Sequence, residues 1–446
     1  MTSPPEARSR DAVAFADGAR WTHAELDRRV ALAAAGLRAL GRERLAARLH
    51  RPIDTVVLAL AALRGGVTLA LVPRRWPSAL AAAALARCGV DTLVADTAAP
   101  VGGLRIETLD RVAAASAPGP NGEAGAVAVF TSGSTGPPKA AVLSAAALAA
   151  SADGVNAHLG FDGSGRWLLD LPPAHVAGLG IAVRALRAGG TMLIPGAAAL
   201  AEALAALRPT HLSLVSTQLR RLLDADADTS GVRAVLLGGS AIPAELLDRA
   251  RAAGLPVSTS YGLTEMSSTV TATAPEAPPA ALGTSGAPLP GRELAILGGE
   301  IHVRGAGRFA GYLTPDGLDR PFGADGWFAT GDLGRLDPAG RLVVEGRRGL
   351  RFVSGGENVQ PEAIERALLA VEGVAEAVVV PVPDAEFGQR PAAWVRRAGA
   401  TDAELEAAVR EALPGYCVPA AFLDWDGAAG MKPDRQALAA AAARRL

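Results

Sequence analysis

Two patterns of apolar and polar positions alternate along the chain, one typical of helices and the other of strands. In Ala- and Leu-rich stretches the apolar residues recur about every three or four positions, which predicts helices, and short β-branched runs between them predict strands. This alternation predicts an α/β fold in which helices pack on sheets. The predicted helices cover residues 22–40, 145–159, 243–253 and 361–369, and the predicted strands cover residues 126–130, 233–237, 301–303, 341–344 and 377–380.

The length of the chain predicts more than one hydrophobic core. With 446 residues it exceeds the size at which a single core stops growing. Beyond Gly346-Arg347-Arg348-Gly349 the sequence holds a glycine pair, a helix that begins with proline, a strand and a further helix, enough for a domain of about 100 residues. We therefore predict an N-terminal domain over residues 1–347, a C-terminal domain over residues 348–446 and a hinge near residues 347–351.

Charge and cysteine content exclude several classes of protein. The formal net charge is −1, and acidic and basic residues are spread along the chain, which does not favour nucleic acid or an anionic membrane as a partner. Apolar runs are short and the N-terminus is polar, so we expect a cytoplasmic protein without membrane insertion. Cys88 and Cys417 lie far apart with no second Cys or His at ligand spacing, which argues against a disulfide framework and a zinc site.

A loop rich in glycine and hydroxyl groups gives the most specific chemical signal. Residues 131–139 read Thr-Ser-Gly-Ser-Thr-Gly-Pro-Pro-Lys, after a predicted buried strand and before a predicted helix, so backbone N–H groups and hydroxyls can converge on a phosphate near a helix start. The spacing differs from a Walker loop, because two residues separate Gly133 from Gly136 and two prolines precede Lys139. The simpler alternative is a generic Gly/Ser loop.

Lysine is almost absent from the chain. Lys and Arg together number 44, yet only Lys139 and Lys432 are lysines. In a sequence that uses Arg for most cations, a retained Lys can mark a position that needs a compact, rotatable ammonium. Both lysines are therefore candidate catalytic residues, with chance survival as the alternative.

The loop resembles the phosphate loop of the adenylate-forming superfamily, which includes acyl-CoA synthetases, luciferases and the adenylation domains of peptide synthetases. Further segments resemble its signatures in the same order along the chain. The resemblance implies a large N-terminal domain of sheets packed with helices and a small, mobile α+β C-terminal domain, with ATP, Mg²⁺ and CoA as the reactants and cofactor. The segments are Tyr261-Gly262-Leu263-Thr264-Glu265, Thr330-Gly331-Asp332, Gly346-Arg347, Ser354-Gly355-Gly356-Glu357-Asn358 and Gly430-Met431-Lys432-Pro433-Asp434-Arg435.

The same resemblance implies roles for individual residues. Tyr261 would stack on adenine, Glu265 would hold Mg²⁺ through an oxygen ligand, and Asp332 would accept the ribose hydroxyls, with Lys432, Lys139 and Glu265 as the catalytic groups. Taken singly, these residues have simpler interpretations: a core aromatic, a solvated helix charge and a turn residue. Gly349 departs from the superfamily, which usually has a charged residue at this hinge position. The implied ATP-binding residues are Thr131, Ser132, Gly133, Ser134, Thr135, Gly136, Lys139, Gly239, Ser240, Tyr261, Gly262, Thr264, Asp332, Arg347 and Lys432.

Within the superfamily, several stretches are similar to the o-succinylbenzoate:CoA ligases of menaquinone biosynthesis, among them residues 211–219, 237–243, 386–391 and 431–438. Residues 171–178 resemble the acyl-pocket segment of that branch. The resemblance assigns His175, Arg184, Gly238 and Ser260 to the acid-binding pocket, where Arg184 would meet the second carboxylate of the substrate. The alternatives are a satisfied core histidine for His175 and a surface arginine for Arg184.

The combined interpretation is a two-domain ligase that adenylates o-succinylbenzoate and transfers the acyl group to CoA, releasing AMP and pyrophosphate. A ligase for another aryl or acyl acid, or an enzyme that loads a carrier protein, is the alternative within enzymes. A non-catalytic adenylate-binding protein is the alternative from another class. The sequence leaves the oligomeric state open, a homo-oligomer included.

Overall fold

The fold is described from a computed structural model, over residues 4–113, 125–131, 137–239, 242–425 and 433–446. Within these ranges no helix combines the length and the apolar character needed to cross a membrane. The helices are α1 His23–Ala39, α2 Pro52–Gly65, α3 Ser78–Ala86, α4 Leu109–Ala113, α5 Ala145–Leu159, α6 Val176–Arg187, α7 Leu200–Leu207, α8 Ser216–Asp224, α9 Ala244–Ala252, α10 Pro279–Leu282, α11 Pro361–Leu369, α12 Asp402–Ala412 and α13 Arg435–Ala443.

Strands occur along the whole described chain and are also numbered in chain order. They are β1 Asp11–Phe15, β2 Arg20–Thr22, β3 Arg44–Arg48, β4 Thr68–Leu71, β5 Thr92–Ala95, β6 Arg105–Thr108, β7 Ala126–Thr131, β8 Lys139–Ser144, β9 Arg166–Leu168, β10 Thr191–Ile194, β11 His211–Leu214, β12 Ala234–Leu237, β13 Val257–Leu263, β14 Ser268–Ala272, β15 Ala287–Pro288, β16 Arg292–Leu297, β17 Glu300–Gly305, β18 Gly311–Thr314, β19 Gly317–Asp319, β20 Phe328–Leu336, β21 Leu342–Arg347, β22 Phe352–Ser354, β23 Glu357–Val359, β24 Val374–Asp384, β25 Gly388–Arg397 and β26 Phe422–Asp424.

Two large mixed sheets contain most of the strands before residue 320. One has the order β15-β14-β13-β12-β11-β9-β10-β1-β2, and the other has the order β19-β18-β8-β7-β4-β3-β5-β6. In the first sheet β9, β11, β12 and β13 run parallel, so their carboxyl ends meet at one edge. Open α/β sheets bind ligands outside that edge.

Three smaller sheets follow among the described residues. Strands β16, β17, β20 and β21 form an antiparallel sheet, β22 and β23 form a hairpin, and β24, β25 and β26 form the last sheet. The clusters of buried apolar residues fall into two groups along the chain. Three clusters lie within residues 12–342, and two lie within residues 352–442. This separation supports the domain boundary that we propose near Arg347.

Local sequence signals account for where several helices begin and end. Helix α5 begins after Ser144, whose hydroxyl accepts the Ala147 N–H at 3.1 Å, and ends at Gly160, which has a φ of 63°. Helix α11 begins with Pro361 at its first position, where the missing N–H costs no helical hydrogen bond. The bounds of α5 and α11 match the predicted helices, and the predicted strands are present with most of them longer at one or both ends.

The prediction that a helix follows the glycine loop is wrong. The residue after the loop, Lys139, opens strand β8, which pairs antiparallel with β7 so that Thr131 lies opposite Lys139. The loop therefore joins a β-hairpin, and helix α5 begins only after Ser144. The residues after Lys139 are mostly alanine and valine, and their pairing with β7 in the sheet decides their conformation.

Candidate active site

The candidate site begins at the carboxyl edge of β12 and β13. Gly238 and Gly239 follow β12, and Ser260 lies in β13 with its hydroxyl donating to the Leu237 carbonyl at 3.1 Å. A Cβ at Gly238 would lie 2.7 Å from Ser260 Oγ, so this close approach requires glycine. Gly239 has a φ of 88°, a conformation that other residues rarely adopt. The sequence-predicted Gly238, Gly239 and Ser260 thus lie together at the edge where a ligand is expected.

Tyr261, Asp332 and Arg347 form a connected network beside this edge. The Tyr261 hydroxyl donates to Asp332 Oδ2 at 2.7 Å, and Arg347 Nε donates to Asp332 Oδ1 at 2.6 Å. Strand β20 holds Asp332 opposite Arg347 of β21, so sheet pairing sets their geometry. Three residues that the sequence placed in separate motifs meet around one carboxylate.

The electrostatics of this network keep its charges fixed. Burial, followed by the negative charge of Asp332, raises the pKa of Tyr261 well above its usual value, so its hydroxyl stays a donor. Burial by itself would lower the pKa of Arg347, but the Asp332 carboxylate outweighs burial and the pKa lies above its usual value. The guanidinium therefore keeps its positive charge beside Asp332.

Glu265 lies four residues beyond Tyr261, in a short 3₁₀ helix over Thr264–Met266 that follows β13. Its carboxylate is buried and accepts the Tyr312 hydroxyl at 2.7 Å, and Lys139 Nζ lies 4.8 Å from the centroid of the Tyr312 ring. Burial raises the pKa of Glu265, and burial with the nearby Glu265 charge raises the pKa of Tyr312. Glu265 and Lys139 therefore both lie against one tyrosine, Glu265 at its hydroxyl and Lys139 near its ring.

A backbone of unusual conformation links this part of the site to the next. Ser267 has a φ of 54° and Ser268 a φ of 116°, and a Cβ at Gly262 would lie 2.3 Å from the Ser268 carbonyl oxygen. Non-glycine residues at such φ values are strained and cluster at functional sites. Thr264 is half-buried, and its carbonyl accepts the Ser267 N–H at 3.0 Å.

Arg184 lies on helix α6 and is 1% exposed, which excludes a surface arginine. Its Nη2 donates to Ser268 Oγ at 2.9 Å and to Thr269 Oγ1 at 3.4 Å, and its guanidinium lies 5.3 Å from the Trp167 ring centroid. Burial, with a smaller effect from Arg292, lowers the pKa of Arg184 to about 9. Among the described residues, Arg184 Nε has no hydrogen-bond partner.

His175 lies at the start of the same helix, where it is the residue before α6 and is exposed to solvent. A core histidine is therefore excluded. Gly178 follows in the first turn, where a Cβ would lie 2.4 Å from the carbonyl oxygens of Leu171 and Pro172. Glycine at position 178 therefore allows the segment before His175 to pack closely against the first turn of α6.

Several predicted residues fall outside the part of the chain that the structure describes. They are Ser132, Gly133, Ser134, Thr135, Gly136, Ser240 and Lys432. Thr131 and Lys139, which flank the loop, are described as paired strand residues. Strand pairing therefore brings the two residues that flank the loop opposite each other.

The sequence did not single out Tyr312, which contacts Glu265 and lies next to Lys139. Its position follows from the pairing of β18 with β8, where Tyr312 lies opposite Ala141. The one feature of the sequence that could have drawn attention to Tyr312 is the scarcity of tyrosine, since the chain has only three. Ser268 was likewise missed as a partner of Arg184, since the two residues are 84 positions apart.

Comparison with protein families identifies the architecture that carries this site. The family described as AMP-binding enzyme matches residues 5–313, and the family described as AMP-binding enzyme C-terminal domain matches residues 363–424. The chain belongs to the AMP-binding enzyme family. Tyr261, Glu265 and Arg184 lie in the first matched region.

Individual relatives of this AMP-binding enzyme agree with the family assignment. The chain is 44% identical to the 2-succinylbenzoate–CoA ligase of Salmonella typhimurium over 313 residues, which are 69% of this chain and 67% of that protein. A solved E. coli MenE variant with bound OSB-AMS is 33% identical with a TM-score of 0.85, covering 98% of this chain and 96% of that one. The o-succinylbenzoate CoA synthetase of Bacillus subtilis in complex with ATP and magnesium ion is 29% identical with a TM-score of 0.84, covering 94% and 93%.

Proposed function

We propose that this chain is an AMP-forming acid–thiol ligase that joins o-succinylbenzoate to CoA in menaquinone biosynthesis. The observation that carries the proposal is the Tyr261–Asp332–Arg347 network, which lies in the same site as Glu265 and Lys139. The relatives named 2-succinylbenzoate–CoA ligase support the choice of acid.

Nucleotide binding is assigned to the network. The ring of Tyr261 offers a flat apolar face for adenine, and its hydroxyl holds Asp332 in place. Asp332 forms an ion pair with Arg347 and offers acceptor oxygens to the ribose hydroxyls. Gly238 and Gly239 let the backbone approach the base closely, because neither carries a side chain.

Glu265 fits a role as a Mg²⁺ ligand. Its carboxylate is buried, and among the described residues it has no ion-pair partner within 4 Å, so a hard cation would compensate its charge. Mg²⁺ supplies charge neutralisation to the triphosphate when it is bound. Tyr312 orients the carboxylate through its hydrogen bond, and Thr264 would offer a further oxygen near the phosphates.

In the first half-reaction, a carboxylate oxygen of the acid attacks the α-phosphorus of ATP. The new O–P bond forms as the bond to the bridging oxygen breaks, and pyrophosphate leaves with the electron pair. Lys139 and Lys432 are proposed to stabilise the charge that develops on the phosphate oxygens, an effect worth about 3 kcal/mol for one well-placed donor. The product is the mixed anhydride of the acid and AMP.

In the second half-reaction, the CoA thiol loses its proton to solvent, and its sulfur attacks the acyl carbon of the adenylate. The C–S bond forms, the C–O bond to the phosphate breaks, and AMP leaves. We propose that rotation of residues 348–446 about the hinge near residues 347–351 separates the two steps. Gly349 fits this hinge because glycine has wide access to φ and ψ.

The second carboxylate of o-succinylbenzoate is assigned to Arg184. The acid activates its succinyl carboxylate, and its aromatic carboxylate stays ionised, so a buried pocket must supply a counter-charge. Arg184 is buried, and its Nε is unpaired among the described residues, as expected of a cation that awaits an anion. His175, Gly238 and Ser260 are proposed to line the remainder of the acid pocket.

A thioester assay over a panel of carboxylic acids tests this function. The purified chain is incubated with ATP, Mg²⁺ and each acid, with and without CoA, and acyl adenylate, pyrophosphate and thioester are measured. The expected result is CoA-independent pyrophosphate release and CoA-dependent thioester formation, both highest with o-succinylbenzoate. A higher kcat/KM for a monocarboxylic acid would refute the substrate, and absence of adenylate with every acid would refute the activity.

A further inference from the structure

Arg347, the last residue of β21, is held by its backbone as well as by its side chain. Its N–H donates to Glu362 Oε1 at 3.0 Å, and its carbonyl accepts a hydrogen bond from Gln360 Nε2 at 2.9 Å. Gln360 Nε2 also donates to Glu362 Oε2 at 2.6 Å, so the two side chains are hydrogen-bonded to each other as well as to Arg347. We call this arrangement of Gln360 and Glu362 around the Arg347 backbone the α11 clamp.

The clamp accounts for the glycine that precedes Arg347. A Cβ at Gly346 would lie 2.6 Å from Gln360 Nε2 and 2.9 Å from Glu362 Oε2. Both distances are shorter than real Cβ contacts, so any other residue would push the two clamp side chains away. Gly346 thus allows the clamp side chains to approach the backbone, and Arg347 supplies the cation that pairs with Asp332.

Arg347 is therefore bound from two directions. Its guanidinium holds Asp332, which also accepts the Tyr261 hydroxyl in the proposed nucleotide pocket. Its backbone is held by the residues that open α11, the first helix after the proposed hinge. One residue consequently connects the nucleotide site to the region that the proposed function requires to rotate.

Further contacts join α11 to neighbouring elements on both sides. Arg366 Nη1 donates to the Glu345 carbonyl at 2.8 Å, a second attachment to β21. On its other side, the buried Glu365 accepts the Val379 N–H at 2.7 Å and pairs with Arg435 at 2.7 Å. Arg435 opens α13, three positions after Lys432 in the sequence. The helix is thus joined to β21 near both of its ends and, through Glu365, to the start of α13.

We propose that Gln360 and Glu362 are positioning residues whose clamp holds residues 348–446 in one of the two orientations that the half-reactions use. This inference rests on the proposed function and on the proposed hinge. Rotation about residues 347–351 must carry α11 away from Arg347, so the clamp hydrogen bonds have to break each time the enzyme passes from one half-reaction to the other. The clamp therefore sets the balance between adenylation and thioester formation without touching substrate.

The test measures the two half-reactions separately in clamp variants. Gln360→Glu keeps the side-chain size but places a carboxylate against the Arg347 carbonyl and Glu362, and Glu362→Ala removes the acceptor for the Arg347 N–H. Adenylate formation is followed by pyrophosphate release without CoA in single turnover, and transfer is followed from supplied acyl adenylate plus CoA. Each variant is expected to change the ratio of the two rates by about tenfold, with one rate rising as the other falls, because each loses at least one hydrogen bond to or from a charged or backbone group.

Glu372→Ala is the matched control, because Glu372 is an exposed carboxylate just beyond α11. It is expected to leave both rates within about twofold. Should Glu362→Ala fail to fold, Glu362→Gln keeps an oxygen that can accept and is expected to shift the ratio in the same direction by a smaller factor. Equal losses in both half-reactions, or no change in either, would overturn the clamp.

Hydrogen exchange separates failure of the clamp from failure of the proposed function. The Arg347 amide is expected to exchange faster in the Gln360→Glu and Glu362→Ala variants than in the parent and the Glu372→Ala control, because its acceptor is lost or displaced. Unchanged protection of this amide would overturn the clamp whatever the enzyme catalyses. A parent enzyme that makes no adenylate with any acid would refute the proposed function, and the exchange result would still decide whether the clamp exists.

Discussion

Two buried arginines lie near strand β14 and differ in what surrounds their charge. Arg292 donates to three backbone carbonyls, those of Thr269 at 2.7 Å, Pro290 at 2.8 Å and Ser151 at 2.8 Å. Arg184 donates to the hydroxyls of Ser268 and Thr269, and its Nε has no partner among the described residues. Every guanidinium nitrogen of Arg292 thus has an acceptor, whereas Nε of the similarly buried Arg184 has none among the described residues.

The difference separates a structural arginine from a candidate ligand-binding arginine. Burial lowers the pKa of Arg292 to about 10 and that of Arg184 to about 9, so both charges are poorly solvated. Carbonyl oxygens replace water around Arg292, whereas weaker hydroxyl acceptors face Arg184, which leaves its guanidinium short of negative charge. An anionic ligand would compensate the charge of Arg184, whereas the nitrogens of Arg292 already have carbonyl acceptors.

The largest expected effect is that of Arg184→Ala on use of a dicarboxylic acid. Removing one member of a buried charge pair costs about 2 to 5 kcal/mol, so kcat/KM for o-succinylbenzoate should fall by roughly thirty- to several-thousand-fold. A monocarboxylate analogue should lose far less, since it leaves no anion unpaired. Arg187→Ala is the matched control, because Arg187 lies on the same helix and forms an exposed pair with Asp153. Equal losses on both acids would make Arg184 structural.

Arg292→Met should act on stability and not on acid selectivity. Methionine retains the apolar stem but leaves three carbonyls without their charged donor, so the free energy of unfolding should fall by about 3 kcal/mol or more. Urea unfolding measures this loss, and the ratio of kcat/KM between the dicarboxylic acid and its monocarboxylate analogue should stay at the parent value. A change in that ratio as large as that of Arg184→Ala would end the distinction between the two arginines.

Gly154→Ala tests the packing that makes room for Arg292. A Cβ at Gly154, in the interior of α5, would lie 2.3 Å from Arg292 Nη1. Alanine favours a helix over glycine by about 1 kcal/mol, but overpacking against a held guanidinium costs about 1 to 3 kcal/mol. We expect a net loss of about 1 kcal/mol in urea unfolding, without a change in acid selectivity. A stabilised variant would show that Arg292 moves aside freely.

Two substitutions of Ser268 should give the smallest effects. Both Ser268→Ala and Ser268→Gly remove the hydroxyl that accepts from Arg184, which should lower kcat/KM for the dicarboxylic acid by a factor of about five. Only glycine relieves the strain of a φ of 116°, so the glycine variant should unfold at higher urea concentration, by about 1 kcal/mol in stability. Equal stability of the two variants would mean that this backbone is not strained.

Local patterns predicted the elements well where a helix or strand is defined by its own residues. Helix α5 combines apolar periodicity with a serine cap and a final glycine, and α11 combines the same periodicity with a first-position proline. The expected helix after the glycine loop was wrong because the conformation of residues 139–144 depends on β7, a different segment of chain. Propensity is a weak guide where pairing decides the conformation.

The sequence by itself determined the order of the motif segments and hence the candidate nucleotide site, because spacing and residue type along the chain are enough to recognise them. Only the tertiary structure decided which side chains meet. Tyr312 reaches Glu265 through the pairing of β18 with β8, Arg184 reaches Ser268 by packing of α6 near β14, and Glu362 reaches Arg347 across the proposed hinge. These contacts join residues 15 to 84 positions apart, and sheet register and helix packing bring such residues within hydrogen-bond distance in ways that no local pattern encodes.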